Sequence, residues 1–384
     1  MIRYCRRCVL PETKPDLHID DAGVCNACRN YERRTAVDWD ARWRELGGIF
    51  DRYRSKDRGN WDCVIPVSGG KDSTFQVLKV LDLGANPLCV TAHTDKLTSV
   101  GRRNLDNLSK LGVDVLEFKT NPVIRRRINR LALRQVGDIA WPEHLTIFTV
   151  PVRVAVQYEI PLIVWGENPQ NEYGGPAAAV EGNTLDRRWL EEFGGLLGLR
   201  VSDLIGQDGI EQHHLVPYTY PTDAALKRVG VTGLFLGYFV PWDGFQNALI
   251  AQAHGFETWP HAIENAFINY ENLDNAHMGI HDHFKFLKYG YGRASDNASM
   301  HIRRDRLQRK DAIAICRRYD GRFPSTYLGV RLEEILGDIE MEMDEFLRIC
   351  ERFTNKKLFV VDNQGKPIRD KDGNLTKINY DNAG

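Results

Sequence analysis

The chain has 384 residues, which is too long for a single small hydrophobic core and predicts two or three modules. Hydrophobic residues make up 42% and charged residues 27%, as in ordinary soluble globular proteins. Because the 51 Lys and Arg residues nearly balance the 52 Asp and Glu residues, the formal net charge is −1. Proteins that bind duplexes or tRNA usually carry a marked basic excess, so the composition argues against a nucleic-acid partner.

No apolar run approaches the roughly 20 residues that a helix needs to cross a bilayer. Residues 1–5 lack the charged start and the apolar core of a signal peptide. We therefore expect a cytoplasmic protein with no membrane partner.

Four of the eight cysteines lie close to the amino terminus. They form Cys5-x-x-Cys8 and Cys25-x-x-Cys28, with 16 residues between the two pairs. Disulfides are rare in a reducing compartment, and two such hooks supply four thiolates that close a tetrahedral zinc site. We predict a small structural zinc ribbon over residues 1–35. An iron–sulfur cluster and four unrelated buried cysteines are the alternatives.

The middle of the chain alternates strand and helix patterns. Residues 36–60 are predicted to form a linking helix, because apolar positions between residues 38 and 53 recur at helical spacing. Within residues 61–242 the predicted strands are 63–67, 87–92, 113–118, 161–166 and 233–240, and the predicted helices are 74–83, 100–111 and 145–158. This alternation indicates an α/β domain with a parallel sheet, in which ligands bind beyond the carboxyl ends of the strands. Pro66 cannot donate a hydrogen bond in a central strand, so we expect it where the strand leaves the sheet.

The strongest chemical signal follows the first strand. It is Ser68-Gly69-Gly70-Lys71-Asp72-Ser73, which we call the phosphate loop. Two adjacent glycines let the backbone approach an anion, and the helix that follows presents unpaired N–H groups and the positive end of its dipole. We predict that all six residues bind the phosphates of ATP and that Lys71, Asp72 and Ser73 act in catalysis. An ordinary Gly-rich turn is the alternative.

The phosphate loop is not a Walker A motif, because Ile65 stands five residues before the Gly-Lys pair, where that motif needs glycine. The loop resembles instead the pyrophosphate-binding loop of the PP-loop ATP pyrophosphatases. Members such as GMP synthetase, asparagine synthetase and the tRNA thiolation enzymes hold pyrophosphate there while a substrate oxygen attacks the α-phosphate. The resemblance implies an adenine nucleotide α-hydrolase-like fold and cleavage of ATP between its α- and β-phosphates.

Two further strand ends are predicted to complete the ATP site. Thr91 and His93 follow the second strand, where PP-loop proteins usually bind adenine and ribose. Gly166 and Glu167 follow the fourth strand, where the superfamily often has a second motif near the phosphates and the metal. Asp72 and Glu167 are therefore candidate ligands of Mg²⁺. Each of these residues can also be a plain polar group at the end of a strand.

The carboxyl-terminal part of the sequence is mainly helical. We assign residues 243–356 to a helical substrate or partner region, and residues 357–384 to a tail that is either a small hairpin or a loosely held end. Catalytic residue types are dense in residues 281–293, for which a polar surface helix is the alternative. Residues 237–244 combine aromatic side chains with an acid, as pockets for sugar rings and phosphates do.

Taken in order, these features resemble the N-acetyl sugar amidotransferases, the bacterial surface-polysaccharide proteins of the WbpG and PseA type. The resemblance runs from residue 1 to about residue 350 and begins with the two cysteine hooks and the phosphate loop. The later motifs are Trp165-Gly166-Glu167-Asn168, Glu172-Tyr173-Gly174-Gly175, Gly237-Tyr238, Pro241-Trp242-Asp243, His283-Phe284-Lys285, Gly290-Tyr291-Gly292-Arg293 and Ile302-Arg303.

The resemblance implies amidine formation on a nucleotide-linked N-acetyl sugar in O-antigen or other surface-polysaccharide biosynthesis. The amide oxygen of an acetamido group would attack the α-phosphate of ATP, giving an O-adenylyl imidate and pyrophosphate. Ammonia would then displace AMP and leave an acetamidino group. Lys71 would stabilise the charge that develops on pyrophosphate. The candidate residues for the sugar nucleotide are Trp242, His283, Lys285, Lys288 and Arg293.

The ammonia source is expected to be a separate protein. A glutaminase needs an activated cysteine with a histidine partner, and none of Cys63, Cys89, Cys316 and Cys350 lies in a nucleophile-elbow context. The resemblance implies a glutaminase pair similar to the two subunits of imidazole glycerol phosphate synthase. The expected cofactors are ATP, Mg²⁺ and structural Zn²⁺.

Two other functions fit parts of the sequence. A tRNA thiolation enzyme also combines a PP-loop with zinc hooks, but it needs further cysteines to carry sulfur or a cluster, and a basic face for tRNA. A non-catalytic scaffold that binds zinc and nucleotide needs only the hooks and the loop. The sequence leaves the sugar open between a UDP-linked diacetamido uronic acid and a nine-carbon sialic-acid-like sugar.

Overall fold

A computed structural model of the chain describes residues 2–55, 59–167, 184–185, 197–371 and 373–378. Its main sheet contains the strands β1 (Cys63–Pro66), β2 (Pro87–Ala92), β3 (Asp114–Phe118), β4 (Leu162–Trp165), β5 (Thr184–Leu185) and β6 (Thr232–Phe235). The strands lie in the order β3-β2-β1-β4-β6-β5. The first five of that order are parallel, and the short edge strand β5 is antiparallel to β6. The predicted α/β fold with a parallel sheet is confirmed.

Helices cover the sheet and build most of the rest of the chain. The amino-terminal half has α1 (Asn26–Arg34), α2 (Trp39–Tyr53), α3 (Lys71–Asp82), α4 (Ser99–Ser109), α5 (Pro122–Val136) and α6 (Trp141–Gln157). The carboxyl-terminal half has α7 (Asp223–Val229), α8 (Gly244–Ala253), α9 (Met278–Tyr289), α10 (Arg293–Arg303), α11 (Arg309–Tyr319), α12 (Leu332–Asp338) and α13 (Met343–Phe353), with a hairpin of β7 (Thr326–Tyr327) and β8 (Val330–Arg331) between α11 and α12.

The central strand β1 is buried on both faces. Successive side chains of a strand point to opposite sides, so Ile65 joins the apolar cluster that contains Phe75 of α3, while Val64 joins the cluster that contains Val150 of α6. A parallel strand covered on both faces must be apolar throughout, which explains why the sequence pattern identified it. Pro66 is the last residue of β1, where its missing donor is tolerated, as expected.

The structure departs from the sequence expectations at two boundaries beside the site. Helix α3 begins at Lys71, with Gly70 as its N-cap, so the second half of the phosphate loop is the first turn of the helix. The predicted strand 233–240 ends at Phe235 and continues as a 3₁₀ turn over Leu236–Tyr238. That turn brings the backbones after β4 and β6 together, since the N–H of Gly237 donates to the carbonyl of Gly166 at 3.1 Å.

The amino-terminal cysteine module packs against the carboxyl-terminal helices. Its four buried cysteines share an apolar cluster with Tyr291 and with Ala298 of α10. The hydroxyl of Thr13 donates to the carbonyl of Tyr289 at 2.6 Å. Helix α2, by contrast, contributes buried side chains to the core of the sheet.

Helices α9, α12 and α13 share an apolar cluster with the tail and with Leu133 of α5. Phe284 and Leu287 of α9 and Phe346 of α13 pack there with Leu358 and Phe359 of the tail. The tail pairs with itself through isolated bridges between residues 359 and 377, 361 and 367, and 369 and 375. Within the described ranges, no helix is both long and apolar enough to cross a membrane.

Candidate active site

The phosphate loop follows β1, at the point where the sheet continues through β2 on one side and through β4 on the other. Ligands of open α/β sheets bind in the crevice at such a switch point. Gly69 has a φ of +81°, and a Cβ added there would lie 2.7 Å from the backbone nitrogen of Leu105 in α4. The N–H of Ser68 donates to the hydroxyl of Ser73 at 2.9 Å, which closes the loop. The loop is therefore a tight turn pressed onto α4 that only glycine allows.

The phosphate loop forms one wall of a cleft of about 630 Å³ that opens to solvent. The other lining residues are Gly101, Asn104, Glu167, Phe256, Tyr270, Glu271, Asn272, Leu273, Asp274 and Arg293. The cleft thus joins the ends of β1 and β4 to an irregular segment, residues 254–277, and to the start of α10.

Helix α4 fixes this irregular segment by bonding to its backbone. The amide of Asn104 donates to the carbonyl of Glu257 at 2.9 Å and accepts from its N–H at 2.7 Å. The N–H of Thr98 donates to the carbonyl of Asp274 at 3.0 Å. Both ends of the segment 254–277 are thereby held at α4, and the segment forms the wall of the cleft opposite the phosphate loop.

Lys71 is buried among carboxylates. Its Nζ lies 2.6 Å from Oδ2 of Asp72 and 3.4 Å from Oε1 of Glu271. Burial opposes the charge, but the carboxylates of Asp72 and Glu271 outweigh it and raise the pKa of Lys71, so the ammonium stays charged. Amides hold the two acids in place, since Asn247 donates to Asp72 and Asn297 donates to Glu271, both at 2.8 Å.

The cleft has more carboxyl groups than cationic side chains. The carboxyl groups belong to Asp72, Glu167, Glu271 and Asp274, and the cations belong to Lys71 and Arg293. Burial raises the pKa of Asp274 to about 6, so this group titrates near neutral pH. A polyphosphate entering such a cleft would need a divalent cation to offset the acidic charge. Carboxylate oxygens are suitable ligands for Mg²⁺, and the predicted pair, Asp72 and Glu167, both line the cleft.

Some of the residues predicted for ATP lie outside the cleft lining. Thr91 is buried on β2, and Nε2 of His93 lies 2.7 Å from the carboxylate of Glu117. Gly166 lies against Trp242, because a Cβ added to it would be 3.2 Å from that ring. Asn168 and residues 172–175, which belong to the motifs quoted above, are outside the described residues.

Of the residues predicted for the sugar nucleotide, Arg293 alone lines the cleft. Trp242 is buried and packs edge-to-face on Phe75, with ring centroids 5.5 Å apart. Nζ of Lys285 lies 2.9 Å from Asp296. Lys288 donates to a backbone carbonyl of α5 at 3.3 Å. His283 lies in a separate cavity, described below.

The wall of the cleft formed by Tyr270, Glu271 and Asp274 is not among the predicted site residues. These residues lie in a segment with neither helical nor strand periodicity, so no regular pattern identified them. The one available signal was the polar run from Tyr270 to Asn272 next to the apolar Leu273, which is too short to separate from an ordinary loop.

The four amino-terminal thiols are arranged as a tetrahedral metal ion requires. Sγ of Cys5 lies 4.0 Å from that of Cys28, and Sγ of Cys8 lies 3.7 Å from that of Cys25. Ligands about 2.3 Å from a central zinc ion would be about 3.8 Å apart, whereas a disulfide needs about 2 Å. Arg309 donates to the carbonyl of Cys8 at 3.0 Å, which ties the hook to α11. The cluster therefore fits the predicted closed site.

Residues 264–370 match the family model of the LPS biosynthesis protein WbpG-like C-terminal domain. The carboxyl-terminal part of this chain is WbpG-like. The predicted relation to the WbpG type is confirmed for this part, which supplies Arg293 and the wall of residues 270–274. A search of curated proteins gives no match.

One solved structure similar to the chain is NMN synthetase from Francisella tularensis. The TM-score is 0.28 and the identity 14%, over 50% of this chain and 92% of that one. A likeness of this size supports no conclusion about what this chain binds.

Proposed function

We propose that this chain is an ATP-dependent, AMP- and pyrophosphate-forming amidotransferase that converts an acetamido group of a nucleotide-linked sugar to acetamidino. One observation carries the proposal. The phosphate loop and the WbpG-like region, through Glu271 and Arg293, line the same cleft. A domain associated with lipopolysaccharide biosynthesis therefore faces the group that would hold pyrophosphate.

The phosphate loop supplies the binding of the leaving group. The N-cap Gly70 has no side chain that could bond to the first N–H groups of α3, so these groups and the positive end of the helix dipole would be available to an anion in the cleft that Gly70, Lys71 and Ser73 line. Lys71, kept charged by Asp72 and Glu271, would stabilise the negative charge that builds on pyrophosphate as the α-phosphate is attacked. Mg²⁺, held by Asp72 and Glu167, would offset the remaining phosphate charge.

The reaction balances in two steps. The amide oxygen of the acetamido group forms a bond to the α-phosphorus, and the bond to the β-phosphate oxygen breaks, which releases pyrophosphate. Ammonia then adds to the imidate carbon, a proton is lost, and the carbon–oxygen bond breaks to release AMP. Arg293 lines the same cleft as the phosphate loop and is held by Asp282, so its guanidinium would add positive charge on the side of the cleft where phosphate or carboxylate groups of the sugar nucleotide would bind.

The four cysteines outside the amino-terminal cluster favour a separate protein as the source of ammonia. Cys63, Cys89, Cys316 and Cys350 are all buried, and burial raises the pKa of each thiol. Such thiols suit neither a glutaminase nucleophile nor a sulfur carrier, which also weakens the tRNA thiolation alternative. The four clustered thiols would hold a structural zinc ion with no open position.

The test is product analysis with the purified chain, ATP, Mg²⁺, ammonium and candidate nucleotide sugars. The expected products are AMP, pyrophosphate and a sugar in which one oxygen has been replaced by an NH group. Glutamine should not replace ammonium unless the glutaminase partner is added. Lys71→Ala and Asp72→Asn should abolish pyrophosphate release. Formation of ADP and orthophosphate, or retained activity in both variants, would contradict the mechanism.

A further inference from the structure

A second cavity, whose empty space of about 350 Å³ includes its opening to solvent, adjoins the cleft. It is lined by Glu264, Asn265, Asp282, His283 and Arg293, together with residues around the turn that follows α11. We call it the acceptor cavity. Arg293 lines both the cleft and the acceptor cavity, so the two spaces share a wall.

Three buried atoms of this lining have no hydrogen-bond partner among the described residues. They are Oε2 of Glu264, Oδ1 of Asn265 and Nε2 of His283, in a stretch that the structure describes without gaps. The amide nitrogen of Asn265 donates to Asp282 at 2.8 Å, which identifies the remaining atom of that amide as the oxygen. Buried polar atoms are normally paired, so this cluster indicates a missing ligand.

The ring of His283 presents a lone pair to the cavity. The residue is 4% exposed, and Nδ1 lies 3.1 Å from the carbonyl oxygen of Arg322. A carbonyl can only accept, so Nδ1 carries the hydrogen and Nε2 is an acceptor. Burial lowers the pKa of His283 to about 4, and the charge of Arg369 acts in the same direction, so the ring is neutral near pH 7.

All three unmatched atoms are therefore acceptors, and one belongs to a carboxylate. The matching ligand is small, offers several N–H or O–H donors, and carries positive charge. A sugar hydroxyl offers one donor and brings lone pairs of its own, whereas ammonium offers four donors and no acceptor. We propose that the acceptor cavity binds ammonium and supplies the nitrogen for the amidine-forming step, an inference that rests on the proposed function.

The position of the cavity suits this role. Asp282 accepts from Asn265 and also from Nε and Nη2 of Arg293, both at 3.1 Å. The carboxylate of Asp282 thus links Asn265, in the acceptor cavity, to Arg293, which also lines the cleft. Bound ammonium would give one proton to the carboxylate of Glu264 and leave the cavity as ammonia, which would reach the adenylylated carbon by passing Arg293, a residue that lines both spaces.

The first test measures binding without turnover. Thermal melting of the purified protein is compared in ammonium chloride and in tetramethylammonium chloride, which has the same charge but no N–H donor. The wild type should gain stability specifically from ammonium. Glu264→Gln, which removes the charge, and His283→Asn, which keeps a donor near Arg322 but removes the Nε2 acceptor, should lose that gain. The exposed Glu334→Gln is the matched control and should keep it.

The second test is kinetic. Because a hydrogen bond to a charged group contributes about 1.5–3 kcal/mol, Glu264→Gln should raise KM for ammonium by about tenfold to a hundredfold. KM for ATP should not change.

Three results decide the matter. The proposal would be overturned if ammonium did not raise the melting temperature of the wild type, or if it raised that of both variants equally. Either result would mean that the cavity holds water. A rise in KM for the nucleotide sugar in place of ammonium would overturn it too. If ammonium binding depends on Glu264 and His283 but the enzyme releases no pyrophosphate, the ammonium site is supported and the proposed function is contradicted.

Discussion

Substitution of Gly69 by alanine tests whether the phosphate loop is pressed onto α4. At a φ of +81° any Cβ is strained, at a cost of about 1–2 kcal/mol. The added methyl group would also lie 2.7 and 2.8 Å from the backbone N and Cα of Leu105, which cannot rotate away as a side chain would. Overpacking of this kind costs about 1–3 kcal/mol, so Gly69→Ala should lower the free energy of unfolding by about 2–5 kcal/mol. Displacement of the loop should also weaken pyrophosphate binding.

Gly112→Ala separates the two effects. Gly112 has nearly the same φ, +85°, but a Cβ there meets nothing within 4 Å. This variant should lose only the conformational cost of about 1–2 kcal/mol and should bind pyrophosphate normally. Urea denaturation and calorimetric titration with magnesium pyrophosphate measure both quantities. Equal destabilisation of the two variants, with normal pyrophosphate affinity in Gly69→Ala, would refute the close packing.

Three further predictions concern charge and metal. Glu271→Gln should lower the free energy of unfolding, measured in urea, by about 1–3 kcal/mol, because Lys71 keeps the half-buried Asp72 but loses its buried carboxylate partner. Glu334→Gln, in an exposed ion pair, should change the free energy of unfolding by less than about 0.5 kcal/mol. Because the pKa of Asp274 is raised to about 6, the folded state holds this proton longer than the unfolded chain, and the group costs stability as the pH rises from about 4 through 6. Asp274→Asn should therefore raise the melting temperature relative to wild type more at pH 7.5 than at pH 5, and an equal shift at both pH values would contradict this. Chelation should expose the four clustered thiols to a thiol reagent and Zn²⁺ should restore their protection, whereas thiols that stay buried after chelation would exclude a structural metal.

The sequence predicted those parts of the fold whose causes are local. A parallel strand buried on both faces is a continuous apolar run, so β1, β2 and β4 were found nearly to the residue. The phosphate loop and the cysteine hooks are equally local, because their chemistry depends on residues a few positions apart. The same logic explains why Lys71 and Asp72 were identified while Glu271, the tertiary partner of Lys71, was not.

Helix α5 is absent from the predicted helices, although Ile124, Ile128, Leu131 and Ala132 are buried at helical spacing. The same helix also buries Arg125, Asn129 and Arg130, whose pairing cannot be read from the local sequence. Their partners come from elsewhere in the chain. Asp95 lies 2.6 Å from Arg125, and Asp208 lies 2.5 Å from Arg130. Trp242, which was predicted for the sugar nucleotide, is buried in the core cluster that contains Phe75, and its role in binding a sugar stays a prediction.

Helices α9 and α10 connect the cysteine module to the cleft. Gly292, the N-cap of α10, is so close to Asp320 that a Cβ would lie 2.5 Å from that carboxylate, and Asp320 in turn accepts from the hydroxyl of Ser295 at 2.5 Å. These contacts fix the start of the helix, and with it Arg293, which faces both the cleft and the acceptor cavity. The cysteine module packs along the same helix through Ala298 and bonds to the end of α9 through Thr13. A metal in that module would therefore hold the wall opposite the phosphate loop in position, although it lies outside the cleft lining.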